Sequence, residues 1–190
     1  MHEGQEIGMV NGDFKNLQEI QDVESHTVWE MAKHLGIPKG MRWKMILRSS
    51  RDNGRTPMQW SGEENAGFTT GKPWLKINGN FKQVNAAREM ADEKGILAFW
   101  KYMISLRKSE PALREGDYFP AYMKGSIYAF ERVLEGKRLL TICNFSAKEV
   151  KLPKQLAQWD RVVACNYDDL ASTLRPFEFR LMQEEVGLGD

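Results

Sequence analysis

Residues 51–60, which read RDNGRTPMQW, carry the side chains of this chain that are best suited to a binding site. Two guanidinium groups, those of Arg51 and Arg55, flank the carboxylate of Asp52, and the run ends on the indole of Trp60. Guanidinium and carboxylate groups hydrogen-bond to hydroxyls, and an aromatic ring packs against the apolar face of a sugar. The residue types and their spacing therefore predict the rim of a carbohydrate-binding site.

This run lies in a long segment that shows neither helical nor strand periodicity. Gly, Pro, Asn, Ser and Thr are frequent from residue 49 to residue 81, and that composition opposes a long regular element. A loop of about thirty residues inside a compact domain is uncommon unless it is functional. The length of the loop is thus a second reason to expect a site here.

Structural roles compete with binding at several of these residues. Arg51 and Asp52 suit a buried ion pair that folds the loop as well as they suit contact with a sugar. Trp60 and Trp74 are expected to pack within the loop rather than to form stacking platforms. The two carboxylates at residues 63–64 occupy a flexible turn and are expected to be solvated.

The elements that position the loop are predicted from periodicity. Residues 5–10 form a short apolar run before an Asn-Gly turn signal and are predicted to be a strand. Asn85 is placed to cap a short helix, and the cations at residues 107–108 suit the last turn of the strongest helix. Helical patterns cover residues 22–35, 40–48 (the weakest of them), 86–90 and 96–108.

After residue 117 the pattern changes to short apolar runs separated by turn signals. Many short strands with frequent turns predict an antiparallel sandwich. The change places a domain boundary near residues 112–117, and we take a first domain over residues 1–112 and a second over residues 113–190. The predicted strands are residues 118–123, 127–133, 139–145, 149–152, 161–165 and 177–182.

Composition argues against several classes of protein. The 27 basic and 26 acidic residues give a formal charge of +1, so no electrostatic attraction to nucleic acid or to an anionic membrane is expected. No apolar run approaches the ~20 residues that span a bilayer. The first residues lack the basic and apolar regions of a signal peptide, so a cytoplasmic location is expected.

The residues that bind metals or cofactors are few. His2, His26 and His34 do not form a ligand set and are expected at the surface, and no metal or phosphate-loop motif is present. Cys143 and Cys165 each lie in an apolar run, where a buried and unreactive thiol is expected. The sequence therefore predicts neither a metal nor a cofactor.

The ten residues from 51 to 60 match the motif Arg-Asp-Asn-x-Arg-Thr-Pro-x-Gln-Trp at every fixed position. The chain thereby resembles the α-glucosidases of the α-amylase superfamily, of the oligo-1,6-glucosidase type. The resemblance extends over nearly the whole chain. Further matches follow in the family's order at residues 3–9, 22–24, 65–68, 72–74, 105–108, 144–146 and 174–178.

The resemblance implies a fold and a set of site residues. Residues 1–112 look like the last βα unit of a (β/α)8 barrel with its long loop, followed by an antiparallel β-sandwich over residues 113–190. In this architecture the loops after the barrel strands form the rim of the active site. The resemblance implies that Arg55 contacts the sugar at the cleavage position and that Glu24 lines the neighbouring subsite. Arg51 and Asp52 complete the candidate substrate-binding residues.

The resemblance also implies catalytic groups that this chain does not contain. Retaining glycosidases use two carboxylates about 5–5.5 Å apart. In the family these follow the fourth and fifth barrel strands, with a third aspartate after the seventh, and no segment here matches them. We therefore expect the C-terminal portion of an enzyme that cleaves terminal α-glucosidic bonds of short oligosaccharides. Its partner would be the missing N-terminal barrel portion, and this chain alone is expected to be inactive.

Two alternatives stay open. A relative that hydrolyses trehalose 6-phosphate is compatible with the same motifs. From another class, a free-standing non-catalytic module could bind a carbohydrate or a partner through the aromatic loop.

Overall fold

The structure is a computed structural model that describes residues 3–159 and 161–184. The chain divides into two compact units, of which the first ends at Lys101 and the second begins at Tyr102. The domain boundary predicted from the sequence, near residues 112–117, is not tested by this division into compact units and stays a prediction. Among the described residues, no helix has the length and apolar character that crossing a membrane requires.

Helices appear at every segment where the sequence predicts one. Asp22 stands at the N-cap of the first helix, and the Asn85 side chain caps the third by accepting the Arg88 N–H. Lys108 lies in the last turn of the fourth, as predicted. The helices are α1 (Val23–His34), α2 (Lys39–Ser49), α3 (Ala86–Ala91), α4 (Ile96–Ser109) and α5 (Pro111–Glu115).

Helices α1 and α2 pack against each other in the first unit. Their shared core holds Phe14, Ile20, Ile46 and Leu75, with the indole of Trp29 partly buried beside them. Burial of this apolar surface, rather than helix propensity alone, stabilises two helices of only three turns. The apolar spacing over residues 22–35 predicts that Met31 and Leu35 lie on the buried face of α1, but both are exposed, and Leu35 lies at its C-cap.

The prediction of a strand at residues 5–10 is wrong. Gln5–Ile7 forms a 3-10 turn, flanked by Gly4 and Gly8 with positive φ angles of 97° and 72°. The Gly8 N–H donates to the Gln5 carbonyl and the Met9 N–H donates to the Gly4 carbonyl. No strand of the first unit, within the described residues, lies beside this segment. A strand needs such a neighbour because its backbone groups are otherwise unpaired.

The long loop is confirmed as irregular. Between α2 and α3 its regular pieces are two 3-10 turns, Arg51–Gly54 and Glu64–Gly67. Asn65 and Ala66 both adopt positive φ angles inside the second turn. The Asn65 side chain donates to the carbonyls of Thr69 and Gly71 and so holds this tight conformation.

The second unit is a sandwich of two antiparallel sheets. The larger sheet has the strand order β1-β2-β3-β7-β5, and the smaller one pairs β4 with β6. All six predicted strands are present, and β6 is an additional pairing of two residues. The strands are β1 (Asp117–Lys124), β2 (Ile127–Leu134), β3 (Lys137–Asn144), β4 (Val150–Lys151), β5 (Arg161–Cys165), β6 (Thr173–Leu174) and β7 (Phe179–Gln183).

Strand alternation gives the larger sheet two buried faces. Ala129 of β2 pairs with Ile142 of β3, and both belong to a core that also contains Leu174 of the smaller sheet. On the opposite face, Leu139 and Leu181 form a second core, against which Met103 of α4 packs. The sandwich therefore buries apolar side chains between its sheets and beneath its helix.

Both cysteines are free and partly buried. Burial raises the pKa of the Cys143 thiol to about 11, and burial also raises the pKa of Cys165. Each thiol is therefore protonated near neutral pH, and because the thiolate is the nucleophilic form, this protonation opposes reaction at either cysteine.

Candidate functional site

A cleft of about 610 Å³ opens beside the loop in the first unit. Segments near the start of the chain form one side of it, at residues 3–5 and 9–11, and residues 50–51 and 53–56 contribute the other. Arg51 and Arg55 both line this cleft. The structure thus brings the two guanidinium groups of the motif to one concave surface.

Two asparagines fix the walls of the cleft. The side-chain Oδ1 of Asn53 accepts the Gly12 N–H at 3.1 Å, while its Nδ2 donates to the Leu47 carbonyl at 2.9 Å. Asn78 is buried, accepts the Asp13 N–H at 2.7 Å and donates to the Val10 carbonyl at 3.0 Å. These bonds satisfy backbone groups that have no secondary-structure partner, so they fix the irregular walls.

Asp22 anchors Arg51. Its Oδ1 accepts from Nε and Nη2 of Arg51, at 2.9 and 2.6 Å, and its Oδ2 accepts the Arg51 backbone N–H at 3.2 Å. The Ser25 hydroxyl also donates to Oδ2, at 2.8 Å. The Asp22 side chain is buried whereas Arg51 stays half-exposed, so the anchor lies inside and the guanidinium reaches the cleft.

The charge of Asp22 follows from these contacts. Burial alone would raise the pKa of Asp22, but hydrogen bonds from Arg51 and Ser25 outweigh it and lower the pKa to about 2. The same carboxylate raises the pKa of the Arg51 guanidinium. Both groups are therefore charged over the physiological range.

The ion pair weighed in the sequence analysis, between Arg51 and Asp52, is replaced by this one. Asp52 is fully buried, and its Oδ2 accepts the N–H groups of Gln21 and Asp22 at 2.6 and 2.9 Å. Asp52 thereby ties the loop to the start of α1. Asp22 accepts from Nε and Nη2 of Arg51, and the Asp52 carboxylate accepts from backbone N–H groups instead.

The second oxygen of Asp52 has a different environment. Oδ1 is buried and accepts no hydrogen bond from any residue that the structure describes. The nearest charged partner is Arg55, whose Nη1 lies 3.7 Å away, too far for a hydrogen bond. Arg55 is itself partly exposed, so its guanidinium is held near the buried charge while its donors stay accessible.

Glu24 completes the cluster from the first turn of α1. Its Oε2 lies 3.6 Å from Arg51 Nη2, and 68% of its side-chain surface is exposed. The four residues predicted from the sequence, Glu24, Arg51, Asp52 and Arg55, therefore form one connected group. Asp22 is the member that the sequence analysis missed as a site residue.

The aromatic residues of the loop lie elsewhere. Trp60 and Trp74 each leave about half of their surface exposed, and neither lines the cleft. Backbone groups of both residues hold the loop: the Trp60 N–H donates to Ala66, and the Trp74 carbonyl accepts from the Gln21 side chain. Glu63 and Glu64 are exposed, as predicted.

Over residues 3–159 and 161–184, the side chains contain no group of three or more potential metal ligands. His26 hydrogen-bonds through Nε2 to the Ile20 carbonyl at 2.8 Å, and His34 is exposed, while His2 lies outside the described residues. The cluster presents two partly exposed guanidinium groups as hydrogen-bond donors and the exposed Glu24 carboxylate as an acceptor. Of its carboxylates, Glu24 is exposed, Asp22 is paired with Arg51, and Asp52 is fully buried.

Comparison with known proteins places this cluster in context. The family model described as alpha amylase, catalytic domain, matches residues 1–116. Trehalose-6-phosphate hydrolase from Escherichia coli (strain K12) is 35% identical over 188 residues, which is 94% of this chain and 34% of that protein. An oligo-1,6-glucosidase from Halalkalibacterium halodurans is 31% identical over 191 residues, 95% of this chain and 34% of that protein.

Similarity in three dimensions agrees with the sequence matches. The crystal structure of Bacillus licheniformis trehalose-6-phosphate hydrolase has a TM-score of 0.85 at 34% identity, covering 95% of this chain and 35% of that one. This chain spans about a third of the length of the curated relatives it matches. These findings confirm the predicted fold class, the end of a (β/α)8 barrel followed by an antiparallel β-sandwich.

Proposed function

The chain belongs to the alpha-amylase family, and we propose that it is the C-terminal portion of a glycoside hydrolase. The intact enzyme cleaves terminal α-glucosidic bonds of short oligosaccharides by a retaining mechanism. In this proposal the catalytic carboxylates lie outside this chain, in the barrel portion that precedes it. Residues 1–112 form the end of the barrel and residues 113–190 the sandwich domain. A cytoplasmic location is part of the same proposal.

The observation that carries the proposal is the gathering of the motif's charged side chains at one cleft. Arg51 and Arg55 line it, and Glu24 lies within 3.6 Å of Arg51. A guanidinium presents a rigid fork of donors to neighbouring hydroxyls, and an exposed carboxylate accepts from them. We assign Arg55 to the sugar at the cleavage position and Glu24 to the subsite that holds the leaving sugar.

Arg51 and Asp52 support these contacts in the proposal. Arg51 is fixed by Asp22, so it loses little conformational freedom when a hydroxyl binds. Asp52 holds the positive charge of Arg55 nearby without engaging its donors. The arrangement therefore presents two guanidinium groups that are positioned before the ligand arrives.

Substrate choice within the family is a further part of the proposal. The names of the relatives point to 1,6-linked glucosides and to trehalose 6-phosphate. We favour the terminal α-glucosidic bond that both substrate classes contain. The competing function, a non-catalytic carbohydrate- or partner-binding module, would use the same cleft and the same charged side chains without catalysis.

The experiment uses the longer protein that carries this sequence after the rest of the barrel. Replacing Arg55 by Ala is expected to lower kcat/KM for isomaltose or trehalose 6-phosphate about 100-fold, since a charged hydrogen bond to the reacting sugar is lost. Arg48→Ala is the matched control, because Arg48 is exposed on α2 and does not line the cleft. The isolated 190-residue chain is expected to show no turnover.

Two results would contradict the proposal. Hydrolysis of isomaltose by the isolated chain, abolished by Arg55→Ala, would mean that catalytic groups lie within these 190 residues. Binding of oligosaccharide by the isolated chain, combined with an inactive longer protein, would favour the non-catalytic module instead.

A further inference from the structure

A second cleft, of about 440 Å³, lies in the first unit and shares no lining residue with the first. Residues 15–18 form one part of its lining, and α1 and α2 contribute the rest through Trp29, Lys39, Gly40 and Trp43. The motif analysis does not explain this cleft. It combines two indole rings with two lysine ammonium groups, so it offers both an aromatic surface and positive charge.

The two indoles form a fixed aromatic corner. Their ring centroids lie 6.5 Å apart with the planes at 82°, an edge-to-face arrangement that aromatic pairs favour. The Arg42 guanidinium carbon sits 4.3 Å from the Trp29 centroid and adds a cation–π contact. Both rings are only partly buried beside the core, so the corner is rigid and yet retains accessible surface.

The polar part of the cleft is positively charged. Lys15 and Lys39 both line it, both are exposed, and neither forms a salt bridge with any described residue. No carboxylate lines the cleft. Asp13 and Glu19, the acidic residues on either side of Lys15 in the sequence, both pair with Lys76 at 3.3 Å. The Glu19 carboxylate accepts the backbone N–H of Lys15 at 3.0 Å, but neither lysine ammonium group is paired with a carboxylate of a described residue, so both are available to an anion.

We propose that this second cleft binds a phosphorylated sugar. The sugar ring packs on the corner of Trp29 and Trp43, and the phosphate group pairs with the ammonium groups of Lys15 and Lys39. Lys39 is the first residue of α2, so the positive end of the helix dipole adds to the attraction. The Gln18 amide, at the same cleft, supplies a hydrogen-bonding group for a hydroxyl. This inference does not depend on the proposed hydrolase function.

Gly40 provides a way to close the cleft without disturbing the fold. A Cβ built on Gly40 meets no atom within 4 Å, and the residue lies in the first turn of α2. Gly40→Leu is therefore expected to project into the cleft and block it. Gly40→Ala is the matched control, since it favours the helix equally well and fills little space.

The test titrates the 190-residue chain with glucose 6-phosphate, glucose and inorganic phosphate, by calorimetry and by tryptophan fluorescence. Glucose 6-phosphate is expected to bind roughly tenfold more tightly than either single component, because only it engages both the rings and the lysines. Its affinity is expected to fall as salt is added. Equal affinity for glucose would overturn the role of the lysines, and equal affinity for phosphate would overturn the role of the indoles.

Variants distinguish binding in this cleft from nonspecific attraction of the phosphate to lysines elsewhere on the surface. Lys15→Gln together with Lys39→Gln is expected to weaken glucose 6-phosphate roughly tenfold, whereas Lys44→Gln, on α2 but outside the cleft, leaves it unchanged. Gly40→Leu is expected to abolish binding that Gly40→Ala retains. An equal loss in Lys44→Gln, or full affinity in Gly40→Leu, would overturn the proposal. Circular dichroism of each variant verifies that the helices persist.

Discussion

Replacing Glu178 by Ala is expected to lower the free energy of unfolding of the sandwich by about 3–5 kcal/mol. The Glu178 side chain is 0% exposed, and its Oε1 accepts Arg180 Nε at 2.7 Å, where the arginine is only 4% exposed. Its Oε2 accepts the Arg175 backbone N–H at 2.6 Å. Alanine would leave the Arg180 guanidinium buried without its carboxylate, and an unpaired buried charge is far more costly than a lost surface contact.

The lowered pKa of Glu178 agrees with its role as the buried partner of Arg180. Burial raises the pKa of the carboxyl, but hydrogen bonds from Arg180 and Arg175 outweigh the burial and leave the pKa below its ordinary value. The folded state therefore favours the charged carboxylate. Stability from this group is present above the ordinary pKa of glutamate and is lost as the pH falls through the lower folded-state value.

Urea denaturation at neutral pH, followed by circular dichroism, measures the effect of Glu178→Ala. Glu184→Ala is the matched control, because Glu184 also pairs with an arginine, Arg138, at 2.8 Å, but 46% and 41% of the two side-chain surfaces are exposed. An exposed pair contributes about 1 kcal/mol or less. A loss in Glu178→Ala no larger than in Glu184→Ala would show that the buried network does not stabilise the sandwich.

A second comparison separates burial from charge. The double change of Glu178 to Leu and Arg180 to Met removes both charges and keeps apolar volume in their place. It is expected to destabilise the sandwich less than Glu178→Ala alone, because neither charge is left buried without a partner. A double variant that is less stable than Glu178→Ala would assign the effect to lost hydrogen bonds, such as those from Arg180 to the carbonyls of Ala171 and Thr173.

The sequence patterns predicted those helices and caps that depend only on residues close together in the chain. The apolar periodicity of α4 and the cap of α3 at Asn85 depend on residues a few positions apart, and both are confirmed. Residues 5–10 have the composition of a strand, yet pairing depends on neighbours that sequence pattern does not supply. Strand β6 has only two residues, too few for alternation to be visible.

In the site, too, the features that depend on neighbouring residues were predicted and those that depend on distant residues were not. The motif at residues 51–60 located the loop with Arg51, Asp52 and Arg55, and the resemblance to the family added Glu24. The motif did not identify the carboxylate that holds Arg51, because Asp22 lies 29 residues away along the chain. At the start of α1 an aspartate is typical of a helix cap, although its side chain bonds to Ser25 and Arg51 instead of a helix N–H. Pairing across that distance requires the fold.

Replacing Asp22 by Asn is expected to reduce the stability of the first unit by about 1–2 kcal/mol at pH 7, after allowance for solvent around the half-exposed Arg51. The folded-state pKa of about 2 lies below the ordinary value of 3.8. The charged form therefore stabilises the fold above pH ~4, and this contribution disappears as the pH falls toward 2. Asparagine keeps the shape of the side chain and carries no charge at any pH.

The measurement compares unfolding of the original chain and Asp22→Asn between pH 7 and pH 2, with exchange of the Arg51 amide as a local probe. The difference should be largest at neutral pH, shrink through the range from 4 to 2, and decrease with added salt because Arg51 is 52% exposed. Glu24→Gln is the matched control, since Glu24 is near the same guanidinium but exposed, and it should change stability little. A difference that persists at pH 2 would mean that Asp22 acts through packing and neutral hydrogen bonds. In that case the ion pair would not be what holds Arg51 at the cleft.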